Sequence, residues 1–307
     1  MLELDQPETH EGRTVHIGSL TVGGTRPCVI AGPCAVESGY PEHADALLAC
    51  GVDGLRANLY KPRTRPESFQ GMGADGLPLL VEARRRTGLP LFTEVMSPQE
   101  AELVGDVADC LWVGARNMQN FRLLEALGEI GRPVLLKRGM AATVDEWVAA
   151  SEYIRGRGND DVVLCERGIR TFESRTRNTL DVSAVVVARE LTDLPVIVDP
   201  SHAAGNRAWV PALARAALAA GADGLLVEAH PAPGLAWSDA DQAIDMDTCA
   251  AVVAEARHAA LQGGRTPVRD ARTAIEQLAI IDTELERLQA VRHLVTSQLE
   301  TYQTPTT

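Results

Sequence analysis

The sequence predicts a closed (β/α)8 TIM barrel of the α/β class, with a short N-terminal hairpin and a C-terminal helical extension. Three observations predict it. Eight short apolar or β-branched runs recur across residues 28–262, each followed by a segment of helical periodicity. The runs are almost continuously apolar, as in strands covered on both faces. The glycine fingerprint that opens a dinucleotide-binding, doubly wound sheet is missing after the first run.

Residues 1–27 are too few for a separate domain, and HIGSLTVGG at 16–24 reads as a small hairpin that plugs the bottom of the barrel. Strands are expected at 28–31, 54–58, 89–95, 110–114, 133–137, 162–166, 195–199 and 224–229. Between them, LPLLVEARRRTG (77–88), NFRLLEALGEIG (120–131), TVDEWVAASEYIRGRG (143–158) and WVPALARAALAAGADG (209–224) space apolar residues helically and end in Gly, the usual C-terminal stop. Residues 263–269 carry two Gly and a Pro and read as a linker. The segment 270–307 is one long helix candidate, with Leu278, Ile281, Leu285, Leu288, Val295, Leu299 and Tyr302 in a continuous stripe. A lone helix cannot bury such a stripe, so this one should dock on the barrel or pair with another chain.

Composition excludes some partners. Twenty-nine Lys and Arg against 42 Asp and Glu leave a net charge of −13, which argues against nucleic acid. No apolar run is long enough to span a membrane. The start, MLELDQPETHEGRT, has neither the apolar core of a secretory signal nor the basic character of a presequence, and six cysteines without a CxxC pair fit a reduced cytoplasm. With residues 28–262 read as the barrel, no N-terminal regulatory domain is expected.

In such a barrel the functional groups sit at the C-terminal ends of the strands. Those positions hold Cys34; Arg56, Lys61 and Arg63; Glu94; Arg116; Lys137 and Arg138; Arg167 and Arg170; His202; and Glu228, His230 and Asp239. An acidic chain thus gathers Arg and Lys on one rim, pointing to a substrate with several anionic groups. Cys34, His202, Glu228 and Asp239 form a second set, a mixed S/N/O site for a divalent transition metal. The competing reading is a hydrolase with Cys34 as nucleophile and His202 as base.

Eight ordered segments carry a resemblance: IAGPCAVES (30–38), YKPRTRPESFQGMG (60–73), GARNMQNF (114–121), PVLLKRG (133–139), LCERGIRTFE (164–173), TRNTLD (176–181), VDPSHAAG (198–205) and VEAHPAP (227–233). From about residue 29 to 261 the chain resembles the type Iβ 3-deoxy-D-arabino-heptulosonate 7-phosphate (DAHP) synthases. The resemblance implies a transferase that condenses phosphoenolpyruvate with erythrose 4-phosphate, the entry to the shikimate pathway and aromatic amino-acid biosynthesis. It implies one divalent metal ion (Mn, Fe, Zn or Co) on Cys34, His202, Glu228 and Asp239, polarising the aldehyde as a Lewis acid. Arg116, Lys137 and Arg167 would grip phosphoenolpyruvate, with Arg56 and Lys61 completing that pocket. Arg63 and Thr64 would hold the phosphate of the aldose. Lys61 and Glu94 are the candidates for moving protons, with His202 at the same reacting centre. The KPRT motif at 61–64 favours this branch over the related 3-deoxy-octulosonate 8-phosphate synthases, although Arg65 replaces the family's Ser. Two alternatives stay open: a sibling synthase in specialised metabolism that takes another aldose phosphate, and a weakly active binding partner.

The tail AIEQLAIIDTELERLQAVRHLV (274–295) resembles the first helix of an AroQ-type chorismate mutase. Ile275 stands where that family's early catalytic Arg falls, and too little chain follows Arg292 for two more helices. Mutase activity from this chain alone is therefore not expected. The helix reads as a homo-oligomerisation or docking element, the alternative being recruitment of a separate chorismate mutase.

Overall fold

The chain enters the fold through the expected hairpin, β1 (Val15–Ile17) paired antiparallel with β2 (Leu20–Val22). Eight parallel strands follow: β3 (Cys28–Gly32), β4 (Gly54–Arg56), β5 (Leu91–Val95), β6 (Cys110–Val113), β7 (Val134–Lys137), β8 (Val162–Glu166), β9 (Val196–Val198) and β10 (Gly224–Glu228). They close into a barrel in chain order, with β10 pairing both β9 and β3. This computed structural model describes residues 12–61 and 67–262, together with helical positions 281–283, 285 and 289. The linker expected at 263–269, most of the 270–307 helix, and Arg63 and Thr64 lie outside the described residues.

The helices are α1 (Tyr40–Ala49), α2 (Leu77–Thr87), α3 (Pro98–Gly105), α4 (Phe121–Ile130), α5 (Val144–Arg155), α6 (Ser183–Leu191), α7 (Pro200–Ala204), α8 (Val210–Ala219) and α9 (Met246–Gln262). Three strands start later than the sequence pattern indicates, each just past a proline: Pro90, Pro133 and Pro195. Proline has no N–H to give the ladder, so pairing begins one residue on.

Strand alternation sorts the apolar residues into two cores. Cys28, Ile30, Phe92, Cys110, Trp112, Leu135, Val163, Cys165, Ile197 and Leu226 form one cluster with Val15, Ile17, Leu20 and Val22 of the hairpin. These residues fill the barrel, and the hairpin seals its N-terminal end. Their neighbours of opposite parity, such as Val29, Ala31, Leu111, Val113 and Leu164, belong to the larger cluster shared with the helices. Closure needs one tight approach: a Cβ at Gly32 would lie 2.1 Å from the carbonyl oxygen of Arg56.

The closed barrel and its outer helices are complete by Gln262. Deleting residues 263–307 should therefore leave the far-ultraviolet dichroism per barrel residue and a single cooperative unfolding transition intact. A truncated chain that failed to fold would show that the tail belongs to the core.

Candidate active site

The parity that builds the apolar plug also builds the site. Continuing the inward-facing series toward the C-terminal end reaches Arg56 on β4, Glu94 on β5, Lys137 on β7, Arg167 and Asp199 just past β8 and β9, and Glu228 on β10. Above them opens a cavity of about 490 Å³, lined in part by Cys34, Lys61, Glu94, Arg116, Lys137, Arg167, His202 and Asp239. Arg56 and Glu228 are fully buried.

Cys34, His202 and Glu228 each present one ligand atom, all within 4.8 Å of one another. His202 Nε2 is 3.3 Å from Glu228 Oε1, and Asp239 joins them, its Oδ2 3.1 Å from Cys34 Sγ. Glu228 is held from two sides: Gln242 donates to its Oε2 at 2.7 Å, and its own N–H donates to Ser201 Oγ at 2.9 Å. Glu228 Oε1 is buried with no hydrogen-bond partner. One sulfur, one imidazole and carboxylate oxygens suit a transition metal better than Mg²⁺, and the orphaned oxygen is what such an ion would satisfy.

Asp199 orients the histidine. It caps the first turn of α7, its Oδ1 accepting the backbone N–H of His202 at 2.9 Å, while its Oδ2 meets His202 Nδ1 at 2.8 Å and Lys137 Nζ at 2.7 Å. Read from these bonds, Nδ1 carries the proton and Nε2 turns its lone pair toward Cys34 and Glu228. Burial pushes the imidazole down to about 4 against the opposing pull of Asp199 and Glu228, so the ring is neutral, as a ligand must be. Burial also raises the Cys34 thiol, helped by Glu228; a bound cation would reverse that. Burial opposes ionisation of Asp239, but Lys61 outweighs it and holds this carboxyl far below its usual range. Lys61 itself reaches Cys34 Sγ at 2.6 Å, Asp239 Oδ2 at 2.6 Å and Ser238 Oγ at 3.0 Å.

The anion side is marked by unmet donors. All three side-chain nitrogens of Arg56 are buried without a hydrogen-bond partner, although Nη2 lies 3.2 Å from Glu228 Oε1 as an ion pair. Arg167 Nη1 is likewise buried and unpaired, and burial pulls its guanidinium below the ordinary range against the field of Asp199. Buried donors without acceptors are costly, so these call for an anionic ligand. The ring of Trp112 lies 4.9 Å from Arg56 and 5.2 Å from Lys137, a cation–π contact with each. Glu94 takes a hydrogen bond from Asn58 at 2.8 Å, and burial raises its carboxyl against the pull of Lys137. Gly114 makes room for it, since a Cβ there would sit 2.0 Å from Glu94 Oε1. Arg116, on a short turn after β6, is exposed at the cavity mouth.

Two rim residues do other work. Arg138 is tied to Glu166 at 3.0 Å, Asp181 at 2.9 Å and the carbonyl of Ala142 at 3.0 Å, so it braces a loop instead of facing the cavity. His230 bonds Glu37 on the far side of the β10 loop. Sequence reasoning also passed over contributors. Asp199 was legible as a carboxylate three residues before His202 at a helix start. Asn58 and Arg177 gave no comparable signal; Arg177 lines the cavity and donates to Gln242 at 2.7 Å.

Residues 7–262 match the DAHP synthetase I family. The phospho-2-dehydro-3-deoxyheptonate aldolase of Thermotoga maritima is 46% identical over 247 residues, covering 80% of this chain and 73% of its own. A 2-dehydro-3-deoxyphosphooctonate aldolase of Acidithiobacillus ferrooxidans is 31% identical over 237 residues, covering 70% and 83%. The crystal structure of the Thermotoga DAHP synthase superposes with a TM-score of 0.80 at 45% identity, over 83% of this chain and 76% of that one. With the matched region spanning the whole barrel and its site, this chain belongs to the DAHP synthetase I family.

Proposed function

We propose that this barrel condenses phosphoenolpyruvate with D-erythrose 4-phosphate to give DAHP and inorganic phosphate. One observation carries the reading: buried guanidinium nitrogens of Arg56 and Arg167 that lack hydrogen-bond partners stand at the same end of the barrel as the Cys34–His202–Glu228 cluster. Arg56, Arg116, Lys137 and Arg167 would bind the phosphate and carboxylate of phosphoenolpyruvate, fixing its C3 for attack on the aldehyde carbon. A divalent ion on Cys34, His202, Glu228 and Asp239 (Mn, Fe, Zn or Co) would supply Lewis-acid polarisation of the aldehyde oxygen. Arg63 and Thr64 would hold the aldose phosphate. The new C–C bond leaves an oxyanion that needs a proton, and phosphate departs only after water adds at C2. Lys61, an ammonium among Cys34, Ser238 and Asp239, is the donor for the first step. Glu94, raised by burial and oriented by Asn58, handles the water.

Phosphate release from phosphoenolpyruvate, measured against a panel of aldose phosphates, tests the assignment. Erythrose 4-phosphate should be the productive acceptor. Turnover with a five-carbon aldose phosphate alone would move the chain to the octulosonate branch, which the 31% relative makes the specific second reading. Arg167→Ala should weaken phosphoenolpyruvate binding by roughly 1.5–3 kcal/mol, the scale of a charged hydrogen bond, without unfolding the barrel. An unchanged KM for phosphoenolpyruvate would remove Arg167 from the pocket.

The tail would join barrels into a homo-oligomer or dock a chorismate mutase. Ile281 and Leu285, one helical turn apart, both expose about half their surface. Light scattering should show the assembly shrinking when residues 263–307 are deleted.

A further inference from the structure

We propose that Glu37 is a positioning residue for the metal centre: its carboxylate latches the loop after β10 so that Asp239 is presented to Cys34 and Lys61. The inference rests on the metal site assigned under the proposed function. Glu37 lies three residues beyond Cys34 and is buried. Its Oε1 bonds His230 Nε2 and stands 3.5 Å from His43 Nδ1, and its Oε2 accepts the backbone N–H of Trp237 at 3.0 Å. Burial works against the charge on Glu37, but the bonds from His230 and Trp237 hold its carboxyl below the usual range.

Glu37, His43 and His230 also lie within 4.8 Å of one another, close enough to suit a second metal. Their hydrogen bonds point elsewhere. His230 Nδ1 accepts the N–H of Ala232 at 2.8 Å, so the ring proton sits on Nε2, aimed at Glu37. Ligation through Nε2 would strip that proton while Nδ1 still faced a donor, leaving an imidazolate. The cluster is a latch.

What the latch holds is strained. Asp239, two residues past Trp237, has φ of +52°, the one left-handed non-glycine among the described residues. Such a conformation persists only where its surroundings over-determine it. Ser238 and Asp239 both meet Lys61, and the Trp237 ring packs edge-to-face on Phe69 at 5.3 Å. One loop thus supplies the ligand Cys34 directly and fixes, through Glu37, the loop that supplies Asp239.

Glu37→Gln breaks the latch with little change of shape, because His230 and the Trp237 N–H meet different carboxylate oxygens and the amide NH2 must face one of these donors. In Co(II) titrations, the thiolate-to-Co(II) charge-transfer band should saturate at a Kd about tenfold higher or more, the scale of lost outer-shell support. Trp237→Leu keeps the backbone donor to Glu37 and loses only the ring contact with Phe69, so it should shift the Co(II) Kd less than Glu37→Gln does. His230→Gln, which retains a donor, should restore more affinity than His230→Leu. By reciprocity, Co(II) should slow hydrogen exchange at the Trp237 amide of the unaltered protein, a measurement that needs no variant. An unchanged Kd in folded Glu37→Gln, or Trp237 exchange indifferent to Co(II), would overturn the latch alone. A wild type with no thiolate band would remove the metal site itself, and the latch with it.

Discussion

Treatment with EDTA should abolish phosphate release, and Mn, Co or Zn should restore it. The reason lies in how the ligand set is built. Cys34, His202 and Glu228 come from three different strand ends, yet their donor atoms converge within 4.8 Å, and Glu228 Oε1 is buried without a hydrogen bond, with Arg56 Nη2 3.2 Å away. Ion pairing alone leaves the lone pairs of that oxygen unsatisfied, and a bound cation would take them. Cys34→Ser exchanges a thiolate ligand for a poor neutral one, so metal affinity should collapse and turnover fall by orders of magnitude. The barrel should stay folded, because serine fills nearly the same space. Full activity in a preparation shown to be metal-free by elemental analysis would sink the assignment.

Asp199→Asn should produce the second large loss, although Asp199 is no ligand. Its carboxylate takes His202 Nδ1–H and the Lys137 ammonium on the same oxygen. Burial resists its ionisation, but His202 and Lys137 prevail and hold it well below the usual carboxylate range. An amide removes that charge, so Lys137 loses its buried counter-ion and His202 can turn its protonated nitrogen toward the site. Metal affinity should drop about 10- to 100-fold, as expected for an outer-shell carboxylate, and the KM for phosphoenolpyruvate should rise through Lys137. Isothermal titration with Co(II) and steady-state kinetics separate the two effects. Loss of neither would show that His202 and Lys137 are oriented by other groups.

Much of this architecture was legible in the chain. Short apolar runs alternating with helical segments announce the barrel, and strand parity assigns each residue to plug or shell. Arg56, Glu94, Lys137 and Glu228 stand at strand ends on the inward parity, so their arrival in one place follows from alternation alone. Parity also separates Lys137 from its neighbour Arg138: consecutive residues face opposite sides, and Arg138 meets Glu166, the outward-facing end of β8.

Local pattern determined the strands, the parity and the rim of functional groups, because these depend on residues within a turn or a strand length of one another. Only barrel closure decided which groups touch: Cys34 meets Asp239 from 205 residues away, Lys61 meets it from 178, and Lys137 meets Asp199 from 62. Charge state followed the same rule. A histidine, two aspartates and a buried arginine pair look alike in sequence wherever they occur. Their protonation and availability are set by burial and by partners a few ångströms off, and those distances exist only once the barrel has closed.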